Sequence, residues 1–276
     1  MRFLDKVVFI TGAARGQGRS HALAFAREGA HLILCDTPEN YLSIPYQLGT
    51  SKELAQTVHE IEQLGQRAFV RQVDVTDLGG MQRLIEDAHR EFGSIDIVIA
   101  NAGLYSFGCL WELTEQQWDE TVAVDLKGVW ITCKVAIPDM IKQGRGKIIC
   151  VGSTGSFKGL YGLGHYTAAK HGVLGLMKTL AIELAPYNIN VNAICPTTAD
   201  TGIINNRAFF DYFAGGSPDL AHREYVISRM NELNLLPERG MLAPEDISLV
   251  VLWLASDEAK QITGSALPID AGFLTR

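Results

Sequence analysis

The chain has 276 residues, of which 47% are hydrophobic and 20% are charged, so it can bury a substantial core. Its net charge of −7 excludes a general attraction to nucleic acid or to acidic membrane surfaces. Five scattered cysteines without metal-ligand spacing predict reduced thiols and no metal site. Asp5 and Lys6 interrupt the N-terminal apolar run, and no stretch reaches the roughly 18 apolar residues of a membrane span. We therefore expect a soluble, cytoplasmic protein.

Short apolar runs alternate with longer amphipathic stretches along the whole chain. The apolar runs are typical of strands that are buried on both faces of a parallel sheet. They cover residues 6–12, 31–36, 68–74, 95–103, 147–153, 188–196 and 265–270. The alternation predicts an α/β fold for residues 1–276, a single-domain Rossmann-type doubly wound parallel sheet of about seven strands with helices on both faces.

Two segments depart from this alternation. Residues 37–51 follow the second strand and delay the next helix, which begins with a capping box formed by Thr50 and Glu53. Residues 202–237 are irregular in pattern and rich in aromatic side chains. Long irregular segments of compact domains are usually functional, so we expect an insertion at 37–51 and a substrate lid at 202–237.

The stretch ITGAARGQGRS follows the first strand and opens the first helix. Gly12, Gly16 and Gly18 form a variant of the dinucleotide turn, in which the backbone must approach a pyrophosphate closely. Asp36 ends the second strand, where a carboxylate can accept both ribose hydroxyls of NAD and would repel the 2′-phosphate of NADP. Arg15 favours NADP instead, because a guanidinium can pair with its 2′-phosphate. We expect the carboxylate to prevail and the cofactor to be NAD.

The ends of two later strands extend the predicted nucleotide site. Asp74 and Val75 would bracket the adenine, and Asn101, Ala102 and Gly103 end the fourth strand at the edge where such folds bind ligands. Taken singly, each of these residues is equally consistent with an ordinary turn.

Tyr166 and Lys170 are four residues apart and therefore share a helix face. A free tyrosine has a pKa near ~10, which is too high for a base at neutral pH. A neighbouring ammonium group and a positive nicotinamide ring would lower this pKa, so that Tyr166 removes the proton of an alcohol as hydride leaves the adjacent carbon. Ser153 would hydrogen-bond the same oxygen. The alternative is a packed tyrosine beside a solvated lysine, which fits a lone Tyr-x-x-x-Lys better than one beside a dinucleotide site.

The order of the motifs resembles that of the short-chain dehydrogenase/reductase family. These motifs are T-G-x-x-x-G-x-G, Asn-Ala-Gly, Ser153, Tyr-x-x-x-Lys and ICPTTADT. The resemblance covers essentially the whole chain and implies a homotetramer. It implies that Ser153, Tyr166 and Lys170 are catalytic and that Lys170 also holds the nicotinamide ribose. The cofactor-binding residues that it implies are Gly12, Arg15, Gly16, Gln17, Gly18, Asp36, Asp74, Val75, Asn101, Ala102, Gly103, Tyr166, Lys170, Pro196 and Thr201.

Within the family, the chain is similar to the mycofactocin-coupled, carveol dehydrogenase-like branch. The similarity lies in GAARGQGRSHA, in the insertion YLSIPYQLGTSKELAQTV, and in CPT in place of the usual Cys/Asn-Pro-Gly. In that branch the insertion is thought to bury NAD so that it does not exchange, and electrons leave through another redox carrier. The resemblance implies a hydrophobic secondary alcohol, terpenoid or carveol-like, that is interconverted with its ketone. An ordinary dehydrogenase of the steroid or 3-oxoacyl type, with exchanging NAD, is the alternative.

One position departs from the family pattern. The family has Asn within VNL, where the backbone and a water relay protons to the lysine, whereas this chain has VDL with Asp125. If the backbone carbonyl holds that water, the relay survives and the carboxylate attracts Lys170. If the Asn side chain is required, Asp125 weakens proton transfer. We expect activity to survive and include Asp125 among the catalytic residues.

Aromatic side chains are expected to line an apolar substrate pocket. The candidates are Phe209, Phe210, Tyr212 and Phe213 in the lid, with Tyr105, Phe107, Trp111, Phe157 and Tyr161 from other loops. His165 and His171 are expected on a helix surface.

Two other protein classes share features of this pattern. A sugar-nucleotide epimerase or dehydratase uses the same fold and Tyr-x-x-x-Lys, but usually carries a larger C-terminal substrate domain. A catalytically silent NAD-binding regulator would use the same scaffold, and the intact Ser153, Tyr166 and Lys170 argue against it.

Overall fold

The computed structural model describes residues 1–236 and 238–276, so Pro237, the last residue of the predicted lid, lies outside the described residues. Seven parallel strands form one sheet in the order β3-β2-β1-β4-β5-β6-β7. The strands are β1 Val7–Thr11, β2 His31–Asp36, β3 Ala68–Gln72, β4 Ile97–Ala100, β5 Gly146–Val151, β6 Ile189–Pro196 and β7 Ala266–Ile269. Each predicted run overlaps one strand, and the predicted fold class is confirmed.

Helices cover both faces of this sheet. They are α1 Gly16–Arg27, α2 Ser51–Gln63, α3 Leu78–Phe92, α4 Glu115–Val122, α5 Val129–Gln143, α6 Gly164–Leu184, α7 Arg207–Phe213, α8 Arg223–Leu233 and α9 Pro244–Ala255. Neighbouring residues of β1 belong to separate cores, Phe9 to one and Val8 and Ile10 to the other, as expected for a strand that is covered on both faces. Within the described ranges, no helix is both long and apolar enough to cross a membrane.

The strand order reverses at β1, which has β2 on one side and β4 on the other. In open α/β sheets a crevice forms at such a switch point, beyond the carboxyl ends of the strands, and ligands bind there. The glycine turn follows β1 and the Asn101–Gly103 segment follows β4, so the fold brings both to this crevice.

The insertion is irregular over residues 37–50, as predicted, but it is well packed. Ile44, Tyr46 and Leu48 are buried, which places alternate side chains of this stretch against the protein. The predicted capping box is confirmed, since the Thr50 hydroxyl accepts from the backbone amide of Glu53 and the Glu53 carboxylate accepts from that of Thr50.

The expectation that the lid is irregular is wrong, because α7 and α8 form within it. Each helix is capped by a side chain, Asn206 for α7 and His222 for α8, which accepts a hydrogen bond from a first-turn backbone amide. Such caps offset the unsatisfied amides at the start of a short helix.

Asp125 lies between α4 and α5 in a π-helical turn, Ala123–Gly128. Such turns are uncommon and occur often at functional sites. Here the turn carries a buried acidic side chain toward the crevice.

Candidate active site

The glycine turn after β1 adopts a backbone geometry that other residues could not share. Gly12 has a φ of +66°, in the left-handed region that favours glycine. A Cβ on Gly18 would lie 2.1 Å from the carbonyl oxygen of Gly12. The side-chain amide of Asn101 donates to the carbonyl oxygen of Thr11 at 2.8 Å and so ties the turn to the end of β4. The turn thus places the N-terminus of α1 at the crevice, the arrangement that dinucleotide phosphates require.

Asp36 is fixed on the wall of the same crevice. Its carboxylate accepts from the backbone amides of Ala14 at 2.8 Å and Thr37 at 2.9 Å. Burial raises the pKa of Asp36, and these two hydrogen bonds oppose that shift. The insertion backbone passes directly over the carboxylate, since a Cβ on Gly49 would lie 3.0 Å from its Oδ2. This approach leaves little room for a 2′-phosphate beside Asp36.

Arg15 contacts the insertion and lies close to the start of the lid. Its guanidinium donates to the carbonyl oxygen of Gln47 in the insertion. The same group lies 3.1 Å from where a Cβ on Gly202 would be. The insertion backbone therefore occupies one donor of the Arg15 guanidinium, which also lies beside the start of the lid.

The other predicted nucleotide residues line this crevice as well, except for Gly18, which is buried against Gly12. The lining includes Gly12, Arg15, Gly16, Gln17, Asp36, Asp74, Val75, Asn101, Ala102, Gly103, Pro196 and Thr201. Among the described residues, the buried Gln17 Oε1 finds no hydrogen-bond partner. The insertion also reaches this wall, where the Tyr41 hydroxyl donates to the Asp74 carboxylate at 2.7 Å.

Ser153, Tyr166, Lys170 and Asp125 border the same crevice. A Cβ on Gly155 would lie 3.4 Å from both the Ser153 hydroxyl oxygen and the Tyr166 ring carbon Cε1, so the two side chains adjoin one small space. Ser153 Oγ accepts from the Gly155 amide at 3.0 Å. Its hydroxyl proton remains available to a second acceptor.

Lys170 is buried and surrounded by oxygen atoms. Its Nζ lies 3.0 Å from Asp125 Oδ2 and donates to the carbonyl oxygen of Val151 at 3.0 Å. Burial lowers the pKa of Lys170, but Asp125 and Tyr166 together outweigh it, so the pKa is raised. The lysine therefore keeps its positive charge at neutral pH.

Lys170 lowers the pKa of Tyr166, as expected, but the net pKa of the phenol in the chain by itself is raised. Burial raises the pKa of Tyr166, and the opposing effect of Lys170 does not overcome it. Asp125 adds to the rise, because its negative charge compensates that of the lysine. A further positive charge in the crevice would lower the pKa of the phenol.

The apolar part of the crevice differs from the predicted set. Tyr105, Phe209, Tyr212 and Phe213 line it, whereas the described positions of Phe107, Phe210, Trp111, Phe157 and Tyr161 are outside the lining. Trp111 and Tyr161 are 82% and 80% exposed, and Phe107 stacks on Tyr212 with ring centroids 4.6 Å apart. Sequence analysis missed further lining residues, Tyr41, Tyr46, Leu48, Leu104, Leu160, Leu163, Met230, Leu233 and Phe273. The alternation of apolar and polar residues over 44–48 was a usable signal for the insertion.

His165 does not lie on the helix surface, and that expectation is wrong. It is fully buried, with Nε2 3.0 Å from the Ser106 hydroxyl, because the chain after β4 crosses the start of α6. His171 is exposed, as predicted.

Known proteins resemble this chain over almost its full length. A family model described as short chain dehydrogenase matches residues 6–208. The (−)-trans-carveol dehydrogenase of Rhodococcus erythropolis is 42% identical over 275 residues, which cover 98% of either chain. An uncharacterised NAD-dependent oxidoreductase of Mycobacterium tuberculosis is 42% identical over 98% of this chain and 96% of its own. The crystal structure of carveol dehydrogenase from Mycobacterium avium in complex with NAD has a TM-score of 0.96 at 37% identity, and the match covers 100% of this chain and 99% of that one.

The fold and the crevice define an NAD-dependent oxidoreductase. The residues present fit that cofactor, because the glycine turn admits no larger side chain at Gly18 and Asp36 offers a fixed carboxylate beside it. The chain belongs to the short-chain dehydrogenase family. It is an NAD-dependent alcohol dehydrogenase/reductase.

Proposed function

We propose that the protein interconverts a hydrophobic secondary alcohol of the cyclic terpenoid class and its ketone, with Ser153, Tyr166 and Lys170 as catalytic residues. The observation that carries this proposal is the convergence of these three side chains with the glycine turn and an aromatic lining on one crevice. The identity of 42% with a carveol dehydrogenase supports the same substrate class.

Each catalytic side chain has a role that follows from its contacts. NAD held in the crevice would supply the hydride acceptor for oxidation of the alcohol carbon and the hydride donor for reduction of the ketone. Tyr166 takes the hydroxyl proton during oxidation and gives it back during reduction. Ser153 donates its free hydroxyl proton to the same substrate oxygen and stabilises the negative charge that develops there. Lys170, kept protonated beside Asp125, favours the phenolate of Tyr166.

We assign cofactor binding to residues that lie at or near the carboxyl edge of the sheet. They are Gly12, Arg15, Gly16, Gln17, Gly18, Asp36, Asp74, Val75, Asn101, Ala102, Gly103, Tyr166, Lys170, Pro196 and Thr201. Gly18 contributes by allowing the tight turn, and the others by lining the crevice.

The insertion and the lid act as covers that retain NAD between turnovers. Gly49 lies over Asp36, Tyr41 binds Asp74, and Arg15 binds Gln47 beside the start of the lid. A cofactor held in this way must be reoxidised in place, so an external redox carrier of the mycofactocin type takes its electrons. Exposed tryptophans on α4 and α5, Trp118 and Trp130, are consistent with burial between subunits of a homotetramer.

Cofactor retention and turnover test this proposal together. The purified protein is desalted, and its NAD content is measured by mass spectrometry before cyclic terpenoid alcohols are added with an artificial electron acceptor. We expect NAD to remain bound, and the ketone to exceed one equivalent per protein only when the acceptor is present. NAD that exchanges freely, with NADH released into solution at a steady rate, would contradict retention and indicate an ordinary exchanging dehydrogenase.

A further inference from the structure

Tyr105 makes contacts with three separate segments at the mouth of the crevice. Its backbone amide donates to the hydroxyl of Tyr46 in the insertion at 3.0 Å. Its own hydroxyl donates to the carbonyl oxygen of Ile203 in the lid at 3.1 Å. Its ring packs edge-on against the ring of Tyr166, with centroids 5.2 Å apart and an interplanar angle of 74°.

These contacts place Tyr105 in series between the insertion and the lid. The buried Tyr46 accepts a hydrogen bond from the Tyr105 backbone, and Ile203 accepts one from the Tyr105 hydroxyl. Loss of either hydrogen bond would disconnect the insertion from the lid along this path. Arg15 is outside this path: it donates to Gln47 and lies beside Gly202.

The residue before Tyr105 is fixed to the ion pair of the active site. The backbone amide of Leu104 donates to Asp125 at 2.8 Å, and the other oxygen of Asp125 lies 3.0 Å from Lys170. The position of Tyr105 is therefore set from the catalytic side of the crevice as well as from its two covers. The Tyr105 side chain is itself buried, so its ring also keeps water away from Tyr166.

We propose that Tyr105 is a positioning residue that ties the insertion to the lid across the NAD crevice and shields the Tyr166 phenol. The proposal rests on the proposed function in two respects, the catalytic role of Tyr166 and the retention of NAD by the insertion and the lid. Both of its parts are measurable without a substrate.

The tie is tested by the rate at which bound NAD dissociates. Tyr105→Phe and Tyr46→Phe each remove one hydrogen bond, and each should accelerate NAD release about tenfold. Because the two bonds are in series, the double variant should release NAD no faster than either single variant. Tyr187→Phe removes an exposed hydroxyl outside the crevice and serves as the control. Unchanged release from Tyr105→Phe, or effects that multiply in the double variant, would overturn the tie.

The shielding is tested by the ionisation of Tyr166, followed by ultraviolet difference spectra against the Tyr166→Phe variant. Tyr105→Leu removes the ring and should move the onset of Tyr166 ionisation to lower pH, because burial is the main cause of the raised pKa. Tyr105→Phe keeps the ring and should leave that onset in place. Equal onsets in Tyr105→Leu and the unaltered protein would overturn the shielding. Failure of every alcohol to react would refute the proposed function without affecting either result.

Discussion

The carboxylate of Asp125 lies 3.0 Å from the ammonium group of Lys170, and both side chains are buried. The second carboxylate oxygen accepts the backbone amide of Leu104, so this one residue links the segment after β4 to α6. The pair also sets the charge beside Tyr166, where Lys170 lowers the pKa of the phenol and Asp125 raises it. An acid at this position thus alters the electrostatics of proton transfer as well as the packing.

Asp125→Asn should shift the pH dependence of alcohol oxidation to lower pH. Removal of the negative charge favours the phenolate of Tyr166, and oxidation requires that form. Activity should survive, since Tyr166 and Ser153 are retained. The free energy of unfolding should fall by about 3 kcal/mol, because Lys170 loses its buried partner. The measurements are rate–pH profiles and denaturant unfolding.

Asp119→Asn, on the exposed surface of α4, is the matched control. If Asp125→Asn has the same rate and pH profile as this control, the Asp125 side chain is immaterial to proton transfer.

Phe213→Ala should raise the KM for hydrophobic alcohols by about tenfold with little change in kcat. The Phe213 ring lines the crevice, and the loss of its apolar contact weakens ground-state and transition-state binding alike. Phe210→Ala changes a neighbouring residue of α7 outside that lining. Steady-state kinetics should separate the two variants, and equal KM values would show that Phe213 does not contact substrate.

Asp36→Ala should weaken NAD binding by about 10- to 100-fold without creating tight binding of NADP. The carboxylate is a charged acceptor for the ribose, while Gly49 and Gln47 keep the insertion and Arg15 in place around it. Titration calorimetry with both cofactors measures the two affinities, with Asp119→Ala as the control. An Asp36→Ala protein that prefers NADP would show that the carboxylate alone excludes the phosphate.

His21 should make the protein less stable as the pH falls below about 6.5. Burial lowers the pKa of His21 from 6.5 to about 3, so between these values the unfolded chain binds a proton that the folded chain does not. The free energy of unfolding should therefore decrease by about 1.4 kcal/mol per pH unit across this window from His21 alone. His21→Gln should flatten that slope in denaturant unfolding series, whereas His59→Gln, at an exposed position, should leave it unchanged.

Much of the fold and of the nucleotide site could be predicted from sequence because their signals are local. The apolar runs define the strands, and their order places the ends of β1 and β4 at one crevice. Spacing alone also puts Tyr166 and Lys170 on one face of α6.

Apart from the two helices of the lid, the errors concern contacts between segments that are distant in sequence. His165 is buried by a chain crossing that no periodicity reports, whereas Trp111 is exposed. The pKa of Tyr166 depends on its burial and on Asp125, which is 41 positions away in the chain. The residue pattern of one helix predicts neither the burial of Tyr166 nor the influence of Asp125.

The most direct test of the account is a single turnover of NAD-loaded protein with a cyclic terpenoid alcohol, comparing Tyr166→Phe with Tyr187→Phe. NADH absorbance and the ketone product are followed together in the absence of any other acceptor. We predict that Tyr187→Phe forms one equivalent of NADH and ketone like the unaltered protein, and that Tyr166→Phe is slower by about 100-fold or more. Equal rates for the two variants would contradict the proton transfer assigned to Tyr166.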